Sequence, residues 1–340
     1  MSTRARLLAF VAIVVALVAG AGIYVVTEGR EVRAQRSSEP DALRTPVASV
    51  TDGSRIVFRH TGIDNQYGVV AIVPLDDPGG ARAFTDVACD RVAARPSGAS
   101  CLFTDAGVTT SFEVQEYDAS WDEVESTSLP GIPSRTRLSP DGSLVATTVF
   151  VSGHSYMSTG FSTATEVHEF GGGDRWGKLE EFDLTVDGRA VNPVDRNIWG
   201  VTFVDDETFY ATVATGDRTW LVEGDLDERT LTSISPDAEC PSLSPDVSRV
   251  AFKVDADPGR TVVWQVAVQD LATGERTLLA KGPRGLDDQV EWLDDDTILY
   301  GMPRQGEPGV TDVWSVDVAA DAEPELLIQQ AWSPTVVRQG

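Results

Sequence analysis

The sequence predicts an all-β fold, a six-bladed β-propeller, preceded by a single N-terminal transmembrane helix. Three observations carry that reading. An uncharged apolar run occupies residues 7–26, a short-strand-and-turn unit recurs six times after it, and the units are spaced like four-stranded blades.

Residues 7–26 form a stretch of twenty without a charge. As a helix rising ~1.5 Å per residue it spans ~30 Å, the thickness of a bilayer's hydrocarbon core. A cleaved signal peptide is the rival, because Arg4 and Arg6 precede the run and Ala19, Gly20 and Ala21 offer a peptidase small residues. The run continues through Val26 beyond that point, which favours an uncleaved anchor. Basic residues flank both ends, so their count does not set the orientation. Everything able to fold lies after the helix, which suits a cytoplasmic tail over 1–6 and an exported remainder. Residues 27–44, broken by Ser37, Ser38 and Pro40, read as a linker.

From 45 to 338 one unit recurs: a short strand, a turn resembling Ser-Pro-Asp-Gly, then an alternating apolar strand. The clearest copies have their turns at Ser139, Pro140, Asp141 and Gly142, and at Ser244, Pro245 and Asp246. Weaker copies centre on Asp52, Ser97, Asp206 and Asp295. Aligned on the turn residue, the spacings are 45, 44, 65, 40 and 49 residues. One blade cannot bury both its faces, so blades stack around a ring and bury each other. A pair of β-sandwiches also has many short strands, but not a shared turn at this period. The blades are expected near 45–85, 86–131, 132–182, 183–236, 237–283 and 284–338. The likeness of residues 45–48 to 333–337 places both chain ends in one blade.

With its Ser-Pro-Asp turns and the stretch Asp-Asp-Gln-Val-Glu-Trp-Leu from Asp287, the sequence resembles the TolB-like six-bladed propellers, in particular the membrane-anchored versions common in actinobacteria. The resemblance covers about 45–338. It implies a binding or scaffolding module of the cell envelope.

Charge narrows the function. The chain holds 27 Lys plus Arg against 53 Asp plus Glu, a formal charge of -26, with only three Lys. Nucleic-acid phosphates and anionic lipid repel such a chain, so nucleic acid is excluded as a partner and the membrane is met only through the N-terminal helix. The acid also suits a plain solvated surface.

Propeller geometry sorts the loops into two faces. The Ser-Pro-Asp turns lie on one, and the other collects His154, Ser155, Tyr156, Asn197, Trp199, Glu239, Asp287, Asp288 and Gln289 as candidate ligand- or partner-binding residues. Trp199 and Trp292 also suit packing between blades, and the acidic pair also suits a solvated turn. The spacing of 65 marks an insertion over 153–196, expected as an extra loop on the rim. No nucleophile elbow, zinc-protease, phosphate-loop or calcium-loop motif occurs, so no catalytic residue, metal or cofactor is assigned. Of the three cysteines, Cys89 and Cys101 either form a disulfide or stay buried thiols. A turn at Ser97 and Gly98 sets Cys101 opposite about Ala94, leaving Cys89 ~17 Å too far along unless the chain folds back. Cys240 reads as a core residue.

The expected protein is a single-pass cell-membrane protein whose propeller, outside the cytoplasm, is a non-catalytic binding or scaffold module for a protein, peptide or glycan of the envelope. The alternative is an envelope glycan hydrolase or lyase using carboxylates at the channel mouth. A purely structural element would show an exposed apolar patch instead.

Overall fold

The computed structural model describes residues 43–107, 109–151, 162–216, 218–255, 262–279, 285–286 and 288–339, together with Leu17. The apolar run at 7–26 lies, but for Leu17, outside these residues. Among the described residues no helix is long and apolar enough to cross a membrane.

Six sheets, antiparallel but for one parallel pairing in blade 4, make an all-β six-bladed propeller. Listing each from the channel outward, blade 1 is Ala331–Val337, Arg55–His60, Val69–Pro74 and Ala83–Ala88. Blade 2 is Arg91–Arg95, Gly98–Ala106, Thr110–Asp118 and Glu123–Ser128, and blade 3 is Ile132–Leu138, Leu144–Val151, Ser162–Glu169 and Arg175–Lys178. Blade 4 begins with Asn197–Phe203, Thr208–Thr215, Arg218–Asp225 and Thr230–Pro236. Blade 5 is Glu239–Leu243, Arg249–Asp255, Trp264–Asp270 and Arg276–Leu278, and blade 6 is Glu291–Trp292, Thr297–Pro303, Thr311–Asp317 and Glu325–Ile328. Burial follows that order. Leu144–Val151 is buried at its first six positions, whereas the outer strand Glu123–Ser128 has no buried residue.

The chain closes the ring with its own end. Ala331–Val337 pairs antiparallel with Arg55–His60, so the first blade takes its innermost strand from the C-terminus. Both ends do meet in one blade, but the N-terminal partner is 55–60; residues 47–49 form a 3-10 turn instead. A buried cluster seals this joint. Arg82 Nη1 donates to His60 Nδ1 at 2.9 Å, and Arg82 Nη2 donates to the Gln329 carbonyl at 3.0 Å. With Nδ1 accepting, Nε2 carries the proton and donates to Asp64 at 3.2 Å. Burial and the Arg82 guanidinium lower the His60 pKa, which keeps the imidazole neutral.

The Ser-Pro-Asp turns join first and second strands through one hydrogen-bond scheme. Ser139 Oγ donates to Asp141 at 2.6 Å and accepts from the Leu144 amide at 2.9 Å; Ser244, Asp246 and Arg249 repeat this. The hydroxyls of Ser244 and Ser248 hold the Asp246 carboxyl down at about 2. Gly142 takes a φ of +79°, which glycine adopts freely. In the other copy Val247 takes +63°, a strained conformation for a β-branched residue and the reason the Gly belongs to the motif.

Of the insertion, residues 162–196 are described, and they form strands: Ser162–Glu169 and Arg175–Lys178 complete blade 3, and the rest extends blade 4. Asp183–Val186 pairs parallel to Thr230–Pro236, and Arg189–Val191 pairs outside it, making blade 4 six-stranded. Its edge would otherwise expose unpaired backbone groups, and the insertion satisfies them.

Cys89 and Cys101 are joined, with Cα atoms 5.4 Å apart. The hairpin turns at Pro96 and Ser97, one residue earlier than the sequence suggests, which pairs Cys101 with Val92 and not with Ala94. Pro suits the first corner of such a turn, and the shift brings Cys89 within reach once the chain bends at Asp90. Cys240 is buried and free. Replacing Cys89 and Cys101 together by Ser should lower the unfolding free energy by about 2–3 kcal/mol, the value for a loop this short. Guanidinium denaturation measures it, and reductant should reproduce the loss in the unaltered chain.

Candidate functional site

The innermost strands leave an axial channel, and one segment occupies it. Residues 288–292 of blade 6, Asp-Gln-Val-Glu-Trp, reach inward and bond to every other blade. Asp288 is 3% exposed and accepts from Arg91 of blade 2 at 3.0 Å through both carboxylate oxygens, with Arg135 of blade 3 at 3.7 Å. Gln289 Nε2 donates to the carbonyls of Val201 in blade 4, at 3.2 Å, and Pro241 in blade 5, at 2.5 Å. Glu291 pairs with Arg137 of blade 3, directly across the ring, and accepts from the Val336 amide of blade 1 at 3.1 Å. Trp292 Nε1 donates to the Ser242 carbonyl at 2.8 Å. Reaching into the axis leaves only Glu291–Trp292 to pair in the sheet, which explains the two-residue strand.

Asp288 and Gln289, drawn from the loop-rich face, are buried and tie the blades together inside the ring. Asn197 is also a tie, because its Oδ1 accepts from the Thr163 amide at 2.8 Å and links blade 4 to blade 3. Trp199 and Glu239 are half-buried, Glu239 opposite Lys253 in register. His154, Ser155, Tyr156 and Asp287 lie outside the described residues.

What the sequence reading missed is the arginine lining. Arg91 and Arg95 stand at the ends of Arg91–Arg95, Arg135 and Arg137 alternate along Ile132–Leu138, and Arg338 follows the closing strand. Among the described residues two carboxylates, Asp288 and Glu291, pair with guanidiniums of this set. Burial lowers the pKa of Arg91 and of Arg95. The available signal was arginine on the inner strand just ahead of the turn, at Arg95 before Pro96 and Arg137 before Leu138 and Ser139.

On the turn face the channel opens into a cavity of about 270 Å3, lined by Arg95, Arg137, Arg338 and Glu291 with Pro96, Pro140 and Pro245 among the rim residues. A second cavity, about 480 Å3, lies between blade 3 and the insertion beside Thr163, Glu180, Asp195 and Arg196. Glu180 accepts there from Thr163 Oγ1 at 2.9 Å and from the Thr165 amide at 3.1 Å. Burial nonetheless pushes its carboxyl up to about 7. No group of three or more His, Cys, Asp or Glu able to hold a metal ion occurs among the described residues.

No protein-family model matches this chain, and no curated protein sequence does either. Solved structures match the fold. TolB from Acinetobacter baumannii superposes with a TM-score of 0.59 at 15% identity, over 84% of this chain and 67% of that one. A TolB-type protein of Agrobacterium tumefaciens gives 0.50 at 13% identity, over 83% and 91%. A puromycin-hydrolyzing peptidase of Mycobacterium tuberculosis gives 0.48 at 14%, over 85% of this chain and 44% of that one. The fold is therefore that of a TolB-like propeller, and at these identities the likeness speaks for fold alone.

Two outcomes follow from this geometry. Asp288→Ala strands Arg91 and Arg135 beside a hole and should cost about 3–5 kcal/mol by denaturant unfolding; adding Arg91→Met should recover part of that loss. Glu180 favours the folded state in its protonated form, a contribution present below the ordinary carboxylate pKa and lost as pH rises through about 7. Glu180→Gln should accordingly flatten the melting temperature between pH 5 and pH 8, by a few degrees relative to the parent chain.

Proposed function

We propose that the chain is a membrane-tethered, extracytoplasmic propeller that acts as a non-catalytic binding or scaffold module for a protein, peptide or glycan of the cell envelope. The carrying observation is the channel. Its two acids are already committed to cross-ring ion pairs, so they serve as struts and not as a free acid and base. A rigid ring with a polar opening on its axis is suited to holding a ligand. The apolar run at 7–26 supports the tether, and the joined Cys89 and Cys101 suit an oxidising compartment.

The test is made on intact cells producing the tagged full chain. The propeller should be cut by protease added outside the cell membrane, and the chain should sediment with membranes until detergent is added. Crosslinking should then capture an envelope component that a version carrying an unrelated domain after residue 44 does not. Protection from external protease would refute the location. Cleavage of envelope glycans or peptides by the purified chain would replace binding with catalysis.

A further inference from the structure

The turn-face cavity carries a local excess of positive charge. In a chain of formal charge -26, it gathers three guanidiniums around one carboxylate. Glu291 is spent on Arg137. Among the described residues Arg95 has no carboxylate within ion-pair distance and feels Glu291 only through space; its nitrogens donate to the carbonyls of Ser139 at 3.2 Å, Ala94 at 3.2 Å and Leu138 at 3.4 Å. Arg338, at the mouth, donates to the carbonyls of Trp292 and Leu293. These carbonyls position the two side chains but carry no compensating charge. Arg137 Nε, also in the cavity wall, is buried with no hydrogen-bond partner.

Carbonyls holding three guanidiniums in place around a single carboxylate leave a net positive centre, a site built ahead of its ligand. We propose that this chamber is an oxyanion-binding site, taking a carboxylate or phosphate group between Arg95, Arg137 and Arg338. At about 270 Å3 it has room for a small anion or one acidic side chain. Planar guanidiniums suit a two-oxygen acceptor, and the buried setting strengthens the attraction that the negative surface opposes at long range. The group has two sources: a free small anion, or an acidic residue of a docked chain. The inference deepens the binding reading given above.

The experiment uses the purified full chain in micelles of a neutral detergent and follows melting against inorganic phosphate, succinate, and a capped Gly-Gly-Asp-Gly-Gly peptide. Sodium chloride at matched ionic strength is the baseline, because unspecific screening moves melting without saturating. Expected is a saturable rise for at least one probe, with half-saturation weakened about tenfold or more in Arg338→Gln, whose exposed position makes folding safe, and in Arg95→Gln. Glu291→Gln removes the competing carboxylate and should tighten binding about tenfold, or restore folding on probe addition if the variant melts early. Phosphate or succinate saturating first marks a free anion. The Asp peptide saturating first, with its Asn counterpart inert, marks a docked chain. No saturable rise for any probe, or equal rises in the arginine variants, would overturn the site. Because only purified protein and small probes are used, that failure leaves capture of an envelope component standing, and failed capture leaves this titration standing.

Discussion

The structure depends on residues 288–292 being inside the ring. A propeller is held mainly by each blade's contact with its two neighbours, so its axis is its weakest region. Here Asp288, Gln289, Glu291 and Trp292 connect blade 6 to all five others through side chains that bond across the opening. The acids and arginines of the channel are mutually dependent: removing either partner leaves a charge in a dry place. That is why the axis is polar.

Ring closure supplies the second constraint. The last strand must find Arg55–His60 across nearly the whole chain, a contact of large loop-closure cost. The Arg82, His60 and Asp64 cluster, with its bond to the Gln329 carbonyl, gives the late-arriving strand a specific seat. Once seated, the strand delivers Val336 to Glu291 and Arg338 to the channel mouth. Closure and the axial cavity are therefore one event.

Charge is distributed unevenly between the surface and the axis. The surface is strongly acidic, yet the inner strands of blades 2 and 3 line the axis with arginine, and two carboxylates balance only part of it. Long-range forces repel anions while the axis attracts one that arrives, a combination that selects for a ligand presented on a partner or at high concentration.

The sequence by itself determined the repeat. The Ser-Pro-Asp turns at Ser139 and Ser244 are local chemistry, a hydroxyl and a carboxylate closing a few residues of backbone, so spacing reveals them and the six blades follow. It also marked residues 287–293 as distinctive. The tertiary structure alone decided what those residues do, because Asp288 and Glu291 meet arginines more than 150 residues away, and no spacing encodes which strands face each other across a ring. The Cys89 to Cys101 bond lay between the two: the pair was visible, and a one-residue shift of the hairpin at Pro96 decided it. Turns are written in neighbouring residues, whereas the channel is a property of closure.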